Sequence, residues 1–243
     1  MDFTDKTVVI TGGVNGIGLC IAEVFRKAGA KAAVIDMDEK GRNCNCDLFY
    51  HGDISDEPTL VKFANKVVSE FGSVDYLINN ACISKKGILS DCSYDDFLYV
   101  QKVGVAAPYI LTKLFLPHFN NGAAVVNISS TRAFMSQSDT ESYTAAKGGI
   151  SALTHALSVS LAGRVRVNSI SPGWIDTTNS GFSDEDNSQH PAGRVGKPSD
   201  IAKMVLFLCS EDAGFITGEN ITIDGGMTKQ MVYHDDNGWR FEK

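Results

Sequence analysis

Residues 7–18 read TVVITGGVNGIG, a short β-branched run followed directly by a glycine-rich turn. Residues 15–28 then repeat apolar side chains at helical spacing, so the pattern predicts a strand, a turn and a helix in that order. Glycines let a backbone approach a phosphate closely, and the helix that begins here offers free N–H groups and a partial positive charge. A tight turn without a ligand uses similar residues, but the position between a strand and a helix favours a phosphate site.

The rest of the chain alternates β-like and α-like patterns in the same way. Short apolar runs predict strands at residues 7–11, 32–35, 48–50, 74–79, 123–129, 165–170 and 220–224. Helical periodicity predicts helices at residues 15–28, 56–71, 95–119, 141–162 and 198–210, the third interrupted by Gly104 and Pro108. Strands that read as continuous apolar runs between helices predict an α/β fold, a Rossmann-type doubly wound parallel sheet of about seven strands with helices on both faces. Such a fold binds ligands beyond the carboxyl ends of its strands.

The 243 residues are 43% hydrophobic and carry a formal net charge of -7. This composition suffices for one hydrophobic core and is short for two ordinary domains, so we expect a single domain over residues 1–243. The sequence has no run of Lys and Arg, which disfavours nucleic acid and membrane surfaces as partners. Residues 1–6 contain no basic segment followed by an apolar stretch, so no export signal is predicted and a cytoplasmic protein is expected.

The six cysteines, at positions 20, 44, 46, 82, 92 and 209, are scattered along the chain. Cys44 and Cys46 lack a second pair of ligands at the spacing of a structural zinc site. We therefore expect six reduced thiols and no bound metal.

A second motif, Tyr143-x-x-x-Lys147, lies in the predicted helix at residues 141–162. Residues four apart share one face of a helix, so the phenol and the ammonium can point into the same site. A neighbouring ammonium favours the phenolate, and this lowers the pKa of Tyr143 toward the range of a general acid or base. The spacing alone is common by chance, where it means only a half-exposed Tyr above a solvated Lys.

Asp36 ends the second predicted strand, where a carboxylate can accept hydrogen bonds from the ribose hydroxyls of adenosine and repel a 2′-phosphate. Asn15 precedes Gly16 and Met37 follows Asp36, so no cation is placed to bind that phosphate. These residues favour NAD over NADP. The alternative is an acidic residue that only solvates the end of the strand.

Together these motifs make the sequence resemble the short-chain dehydrogenase/reductase family along nearly its whole length. The resemblance includes the glycine loop, Asp36, and Tyr143 with Lys147. The further matching motifs are Asp53, Asn79-Asn80-Ala81, Asn127-Ile128-Ser129-Ser130, Pro172-Gly173 with Thr177, Gly193-Arg194-Val195-Gly196-Lys197-Pro198 with Asp200-Ile201, Thr217-Gly218-Glu219, and Asp224-Gly225-Gly226. Several ordered motifs at family spacing are far more specific than any one of them.

The resemblance implies an oxidoreductase that interconverts a secondary alcohol and a ketone by hydride transfer with NAD(H). It implies that Ser130 binds the substrate oxygen, that Tyr143 transfers the proton, and that Lys147 holds the nicotinamide ribose. The cofactor-binding residues that it implies are Gly12, Asn15, Gly16, Ile17, Gly18, Asp36, Asp53, Ile54, Asn79, Asn80, Ala81, Tyr143, Lys147, Pro172, Gly173, Ile175 and Thr177. It also implies a homodimer or homotetramer that pairs the helices at 95–119 and 141–162.

Two positions depart from the family pattern. Cys82 follows Asn79-Asn80-Ala81 where the family has glycine, and Gly104 replaces the asparagine of the family's catalytic tetrad. The ring of Pro108 clashes with the carbonyl four residues earlier, so we predict a kink that frees the Gly104 carbonyl to hold a water for the proton relay. The alternative is an NAD-binding sensing or interaction protein with impaired catalysis.

The sequence defines the substrate poorly. Residues 178–197, which cover the substrate in relatives, include Asp184-Glu185-Asp186, and this acidic stretch either discourages a polyanionic substrate or is a solvated lid. The tail at 227–243 carries Tyr233, Trp239 and Phe241, which is more aromatic surface than a disordered tail usually has. Docking of this tail on a neighbouring subunit is therefore one expectation.

Overall fold

The structure, a computed structural model, describes residues 1–240, so Phe241 lies outside the described residues. Within this range seven parallel strands form one sheet, in the order β3-β2-β1-β4-β5-β6-β7. The strands are β1 (Thr7–Thr11), β2 (Lys31–Asp36), β3 (Leu48–His51), β4 (Val74–Asn79), β5 (Phe119–Ile128), β6 (Val165–Pro172) and β7 (Asn220–Ile223). The predicted doubly wound sheet in a single domain is confirmed.

Helices cover both faces of this sheet. In the described part of the chain they are α1 (Gly16–Lys27), α2 (Glu57–Phe71), α3 (Tyr94–Gln101), α4 (Ala107–Phe115), α5 (Glu141–Ser160), α6 (Asp184–Ser188) and α7 (Pro198–Cys209). A π-helical turn, Lys102–Ala106, joins α3 to α4. Four of the predicted helices correspond to α1, α2, α5 and α7, because each has a long apolar face that sequence periodicity reveals.

Two segments differ from the prediction. The expected helix at 95–119 is divided into α3, the π-helical turn, α4 and a 3-10 turn at Leu116–His118, and Phe119 already begins β5. Pro108 and Pro117 lack the N–H that a regular helix requires, which accounts for the irregular turns beside them. Helix α6 lies where a loop was expected, because its five residues are too few to show an apolar period.

The expectation of six free thiols is wrong for one pair. Cys44 and Cys46 form a disulfide, with their Cα atoms 5.5 Å apart. They lie between the 3-10 turn Glu39–Asn43 and β3, in a segment whose backbone brings two cysteines separated by one residue within bonding reach. Among the described residues, the other four cysteines are free and no cluster of His, Cys, Asp and Glu could hold a metal.

Alternate side chains along the strands pack into two separate hydrophobic cores. Val8 of β1 joins the core beneath α1 and α7, whereas Val9 joins the core beneath α2 and α4. Phe25 and Phe63, one from each core, are fully buried, and burying one such ring contributes about 1.5–3 kcal/mol. None of the helices within residues 1–240 has both the length and the apolar character needed to cross a membrane.

Candidate active site

The carboxyl edge of the sheet opens into a cleft with a cavity of about 740 Å³, a size typical of ligand and cofactor sites. The cleft lies where the strand order reverses between β1 and β4, which is the position of ligands in doubly wound folds. The residues expected at the site that line this cleft are Gly12, Asn15, Gly16, Ile17, Asp36, Asp53, Ile54, Asn80, Ala81, Ser130, Tyr143, Lys147, Pro172, Gly173, Ile175 and Thr177.

Two glycines in the loop after β1 have backbone conformations and close contacts that other residues would not tolerate. Gly12 and Gly16 have φ angles of 66° and 52°, which residues with a Cβ seldom adopt. A Cβ on Gly12 would also lie 2.9 Å from Ala81 Cα, and one on Gly16 would lie 3.1 Å from Thr177 Cγ2. The start of α1 therefore presents bare backbone to the cleft, and this arrangement suits a diphosphate held at a helix N-terminus.

Gly18 and Asn79 do not line the cleft, although the family resemblance placed both at the cofactor. A Cβ on Gly18 would lie 2.0 Å from the carbonyl oxygen of Gly12, so this glycine allows α1 to pack against the loop. Asn79 is 4% exposed, and its Nδ2 donates a hydrogen bond to Asn127 Oδ1 at 2.8 Å. Both residues therefore support the wall of the cleft from behind.

Asp36 joins the end of β2 to the glycine loop. Its Oδ2 accepts a hydrogen bond from the backbone N–H of Val14 at 3.2 Å, and its Oδ1 accepts one from that of Asp38 at 3.0 Å. Asp38 in turn accepts a hydrogen bond from Asn15 Nδ2 at 3.1 Å. Among the described residues that line the cleft, Lys147 is the only Lys or Arg. The end of the cleft beside Asp36 therefore carries negative charge.

The structure adds lining residues that the sequence did not assign to the site: Ile35, Met37, Gly52, Cys82, Ile83, Tyr99, Val103, Ile128, Ser129 and Thr178. Tyr99 on α3 fixes one of the expected residues, because its hydroxyl donates a hydrogen bond to Asp53 Oδ2 at 3.0 Å. The two residues are 46 positions apart, so no local pattern indicates the pair. Cys82 was recognisable only as a departure from the family pattern.

A second cavity, of about 590 Å³, lies beside the first and shares Ser130, Tyr143 and Gly173 with it. Its other lining residues are Ser84, Thr131, Arg132, Met135, Ser136, Gln137, Thr140, Trp174, Gln189 and Met227. The hydroxyls of Ser130, just after β5, and Tyr143, in the first turn of α5, thus lie at the junction of the two cavities. A ligand in each cavity could meet the other at these two hydroxyls.

Comparison with known proteins identifies the family. Residues 12–228 match a family model described as enoyl-(acyl carrier protein) reductase. An uncharacterized oxidoreductase of Thermotoga maritima is 39% identical, over 95% of this chain and 98% of the relative. The chain belongs to the short-chain dehydrogenase/reductase family. A solved structure of an apo SCOR enzyme from Clostridium thermocellum is 46% identical and has a TM-score of 0.93, over 98% of this chain and 99% of that one. A meso-2,3-butanediol dehydrogenase of Serratia marcescens is 32% identical, over 94% of this chain and 96% of the relative.

In this short-chain oxidoreductase, the surroundings of Tyr143 raise the pKa of its phenol. Burial raises the pKa of Tyr143 above its usual range, and the neighbouring Cys82 thiol raises it further. Hydrogen bonding with Ser130 and the positive charge of Arg132 lower the pKa of Tyr143, but by less. The net direction is upward because a buried phenolate loses its hydration. The prediction of a lowered pKa is therefore wrong in direction.

Lys147 lies buried beside the Tyr143 ring. Lys147 is 3% exposed, and its Nζ donates a hydrogen bond to the carbonyl oxygen of Ile128 at 2.7 Å. The same Nζ lies 5.4 Å from the centroid of the Tyr143 ring. One of the three N–H donors of the ammonium is thus bound to the carbonyl at the end of β5. Lys147 does line the cleft, and its role in holding a ribose stays a prediction.

Gly104 lies within the π-helical turn Lys102–Ala106, where the N–H of Ala107 donates to the carbonyl of Lys102, five residues earlier. Pro108 has no N–H to offer the Gly104 carbonyl at the usual spacing of four. A Cβ on Gly104 would lie 2.9 Å from the Cβ of Ala146, the residue before Lys147 on α5. The helix is thus irregular at this point, whereas the kink and the water relay through the Gly104 carbonyl stay predictions.

Proposed function

We propose that this protein is an NAD(H)-dependent short-chain oxidoreductase, an alcohol dehydrogenase or carbonyl reductase that interconverts a secondary alcohol and a ketone. The observation that carries the proposal is the position of Ser130 and Tyr143 at the junction of the two cavities. Lys147 lies one helical turn from Tyr143 and lines the same cleft. The similarity to a meso-2,3-butanediol dehydrogenase supports a secondary alcohol as the substrate.

Tyr143 is the general acid and base of the proposed reaction. In oxidation its Oη, as phenolate, would accept the hydroxyl proton of the alcohol, and in reduction it would return a proton to the ketone oxygen. Ser130 Oγ would donate a hydrogen bond to that same oxygen and orient the reacting carbon. Bound nicotinamide supplies the acceptor or donor of the hydride. Because burial raises the pKa of Tyr143, the phenolate that alcohol oxidation needs forms only at higher pH.

The cleft residues fit a dinucleotide. The bare backbone at Gly12 and Gly16, with Asn15 and Ile17 beside it, would hold the diphosphate at the start of α1. Asp36 would accept hydrogen bonds from the adenosine ribose, and its charge would repel the additional phosphate of NADP. The other residues that would hold the cofactor are Asp53, Ile54, Asn80, Ala81, Lys147, Pro172, Gly173, Ile175 and Thr177.

A second candidate function, an NAD-binding sensing or interaction protein with impaired catalysis, depends on Gly104. The close approach of Gly104 to Ala146 gives the glycine a packing role. A packing role accounts for the glycine without any loss of activity. The case for a sensing or interaction protein with impaired catalysis is therefore weaker.

The proposal extends to the cellular location of the protein and to its oligomeric state. We propose a cytoplasmic homodimer or homotetramer that acts on a small-molecule alcohol or carbonyl compound. The location is inferred from the sequence alone, and fractionation of cells that express the chain would test it.

The deciding experiment monitors nicotinamide absorbance with the wild-type protein and a panel of sugars, sterols, acyl ketones and small alcohols. We expect Tyr143→Phe to lower turnover by at least about 100-fold while NAD affinity changes only a few fold, because the hydroxyl serves proton transfer. Tyr94→Phe, which alters an exposed tyrosine at the start of α3, is the matched control. Retention of more than about a tenth of the activity in Tyr143→Phe would reject the assignment. Tight NAD binding without turnover of any compound would favour the sensing protein.

A further inference from the structure

Arg132 is the only charged side chain among the described residues that line the second cavity. It lies on the 3-10 turn Thr131–Ala133, and its backbone N–H donates a hydrogen bond to Ser130 Oγ at 3.1 Å. Its side chain is half-buried, and its charge acts on the Tyr143 phenol. A cation therefore lines the cavity that also contains Ser130 and Tyr143, at which the reaction is proposed to occur.

The guanidinium of Arg132 contacts neutral groups. Its Nη1 donates a hydrogen bond to Thr140 Oγ1 at 3.2 Å, and its Nη2 donates one to Gln137 Oε1. Among the arginines whose side chains the structure describes, those that pair with carboxylates are Arg26, Arg194 and Arg240, and Arg132 is not among them. A guanidinium has five N–H donors, so these two contacts leave hydrogen-bonding capacity for a ligand.

The carboxylates nearest to Arg132 in sequence bind elsewhere. Asp139 Oδ1 accepts hydrogen bonds from the backbone N–H groups of residues 87, 89 and 90, and Glu141 Oε2 accepts one from residue 88. Both acids therefore stabilise that segment and do not neutralise Arg132. The acidic residues 184–186 do not line the second cavity, which agrees with the alternative of a solvated lid better than with direct repulsion of a polyanionic substrate.

We propose that the substrate is a hydroxy acid or keto acid whose carboxylate is bound by Arg132 while its hydroxyl or keto oxygen contacts Ser130 and Tyr143. This inference rests on the proposed function of the same site. Partial burial of a guanidinium against neutral partners costs hydration, and a carboxylate bound through two parallel N–H···O bonds offsets that cost. In the oxidation, the C–H electron pair leaves as hydride to NAD, the hydroxyl proton goes to Tyr143, and the carboxylate makes and breaks no covalent bond.

The charge around Arg132 suits a carboxylate better than a phosphate ester. A phosphate ester carries close to two negative charges at neutral pH, whereas the second cavity offers one cation within the described residues. The remaining polar groups of the lining are neutral, and they include Ser84, Ser136, Gln137 and Gln189. These hydroxyl and amide groups could bind further hydroxyls of a substrate, but they add no positive charge.

The first test compares acids with amides of nearly the same shape. Wild-type protein and NAD are assayed with 2-hydroxy- and 3-hydroxyalkanoates and with the corresponding hydroxyalkanamides. We expect kcat/KM to favour the acids by about tenfold or more. Arg132→Gln should lower kcat/KM on acids by about a hundredfold, mainly through KM, and on amides by less than about threefold. Arg132→Lys, which keeps the charge and loses the planar fork, should lie between the two.

The second test measures binding without turnover. Thermal stabilisation of the complex with oxidised NAD, which cannot reduce a ketone, is compared for wild type and Arg132→Gln with acetoacetate, acetoacetamide and hydroxyacetone phosphate as ligands. We expect stabilisation by acetoacetate to exceed the others and to be lost in the variant.

The outcomes separate this inference from the proposed function. Acetoacetate binding that depends on Arg132, without turnover of any alcohol or ketone, would support the carboxylate site and contradict the oxidoreductase. Turnover of neutral alcohols with no preference for acids would overturn the carboxylate site and leave the oxidoreductase intact. Equal losses on acids and amides in Arg132→Gln would also overturn it, since they would mean that Arg132 only holds the segment at 132–140. Tighter binding of the phosphate ester, or no binding of acids, would overturn it as well.

Discussion

At the scale of single residues, Asp36 combines a structural and a selective role. Both of its carboxylate oxygens hold backbone N–H groups at the end of β2, and its charge borders the cleft. We expect NAD to bind at least about tenfold tighter than NADP, a difference of about 1.4 kcal/mol. Asp36→Asn removes the charge with little change of shape, so it should shrink this preference.

Fluorescence titration with NADH and NADPH measures the preference directly. Asp38→Asn is the matched control, because it removes a charge from the same loop at a residue that does not line the cleft. Equal affinity of the wild-type protein for the two cofactors would contradict the prediction.

Cys82 allows a test of the electrostatics at Tyr143. The Cys82 thiol raises the pKa of Tyr143, so Cys82→Ala should lower it. Alcohol oxidation needs the phenolate, and its rate rises with pH as Tyr143 loses its proton. The rise in kcat/KM for oxidation should therefore move to lower pH in Cys82→Ala. Cys92→Ala, which removes a thiol outside the cleft lining, should leave the profile unchanged, and an unchanged or upward profile in Cys82→Ala would contradict the assignment.

At the scale of secondary-structure elements, the π-helical turn Lys102–Ala106 and α5 pack unusually closely. The contact is between Gly104 and Ala146, and a Cβ on Gly149 of α5 would likewise lie 3.0 Å from Val105 Cγ2. A 2.9 Å separation between two Cβ atoms is shorter than van der Waals contact, so a side chain on Gly104 would push the two elements apart. The turn of α5 that carries Lys147 would move with them.

We therefore predict that Gly104→Ala destabilises the protein. Alanine is favoured over glycine in a helix by about 0.5–1 kcal/mol, but overpacking costs about 1–3 kcal/mol. The net loss in the free energy of unfolding should be about 1 kcal/mol, measured by urea denaturation.

Gly148→Ala on α5 is the matched control, because its Cβ would meet only the Ala133 carbonyl oxygen, at 3.9 Å. That variant should be stabilised by about 0.5–1 kcal/mol. Adding Ala146→Gly to Gly104→Ala should recover much of the lost packing. A Gly104→Ala variant as stable as Gly148→Ala would disprove the packing role.

At the scale of the whole molecule, α4 and α5 leave apolar side chains exposed. Val159 is 77% exposed and Tyr109 is 48% exposed, and Ala152 and Ala156 lie on the same face of α5 as Val159. Family members commonly assemble as oligomers, and an apolar surface of this kind is typical of such interfaces. The tail in residues 227–240 adds exposed Tyr233 and Trp239, whose docking on a neighbouring subunit stays a prediction.

Light scattering at micromolar concentration should give a multiple of the chain mass of 26.2 kDa. Val159→Glu should shift the mass toward 26.2 kDa, because a charge buried in the interface without a partner is strongly unfavourable. Ser160→Glu introduces the same charge at the adjacent exposed position and serves as the control. A wild-type mass of 26.2 kDa would refute the assembly.

The sequence by itself determined the alternation of strands and helices, the glycine loop after β1, and the positions of Asp36, Tyr143 and Lys147. These features are readable because hydrophobic periodicity and turn chemistry act over a few neighbouring residues. The same local logic predicted the distortion at Gly104, since Pro108 disrupts a helix wherever it occurs within one.

Only the tertiary structure decided which of these residues face the cleft and how they titrate. Asn79 lies behind the wall because Asn127, from the next strand, binds its side chain. The pKa of Tyr143 is raised because folding removes water from the phenol, and desolvation depends on every element that packs around the group. The neutral partners of Arg132 likewise follow from where the loops place the nearby carboxylates. Burial and through-space charge arise from residues distant in sequence, so no local pattern encodes them.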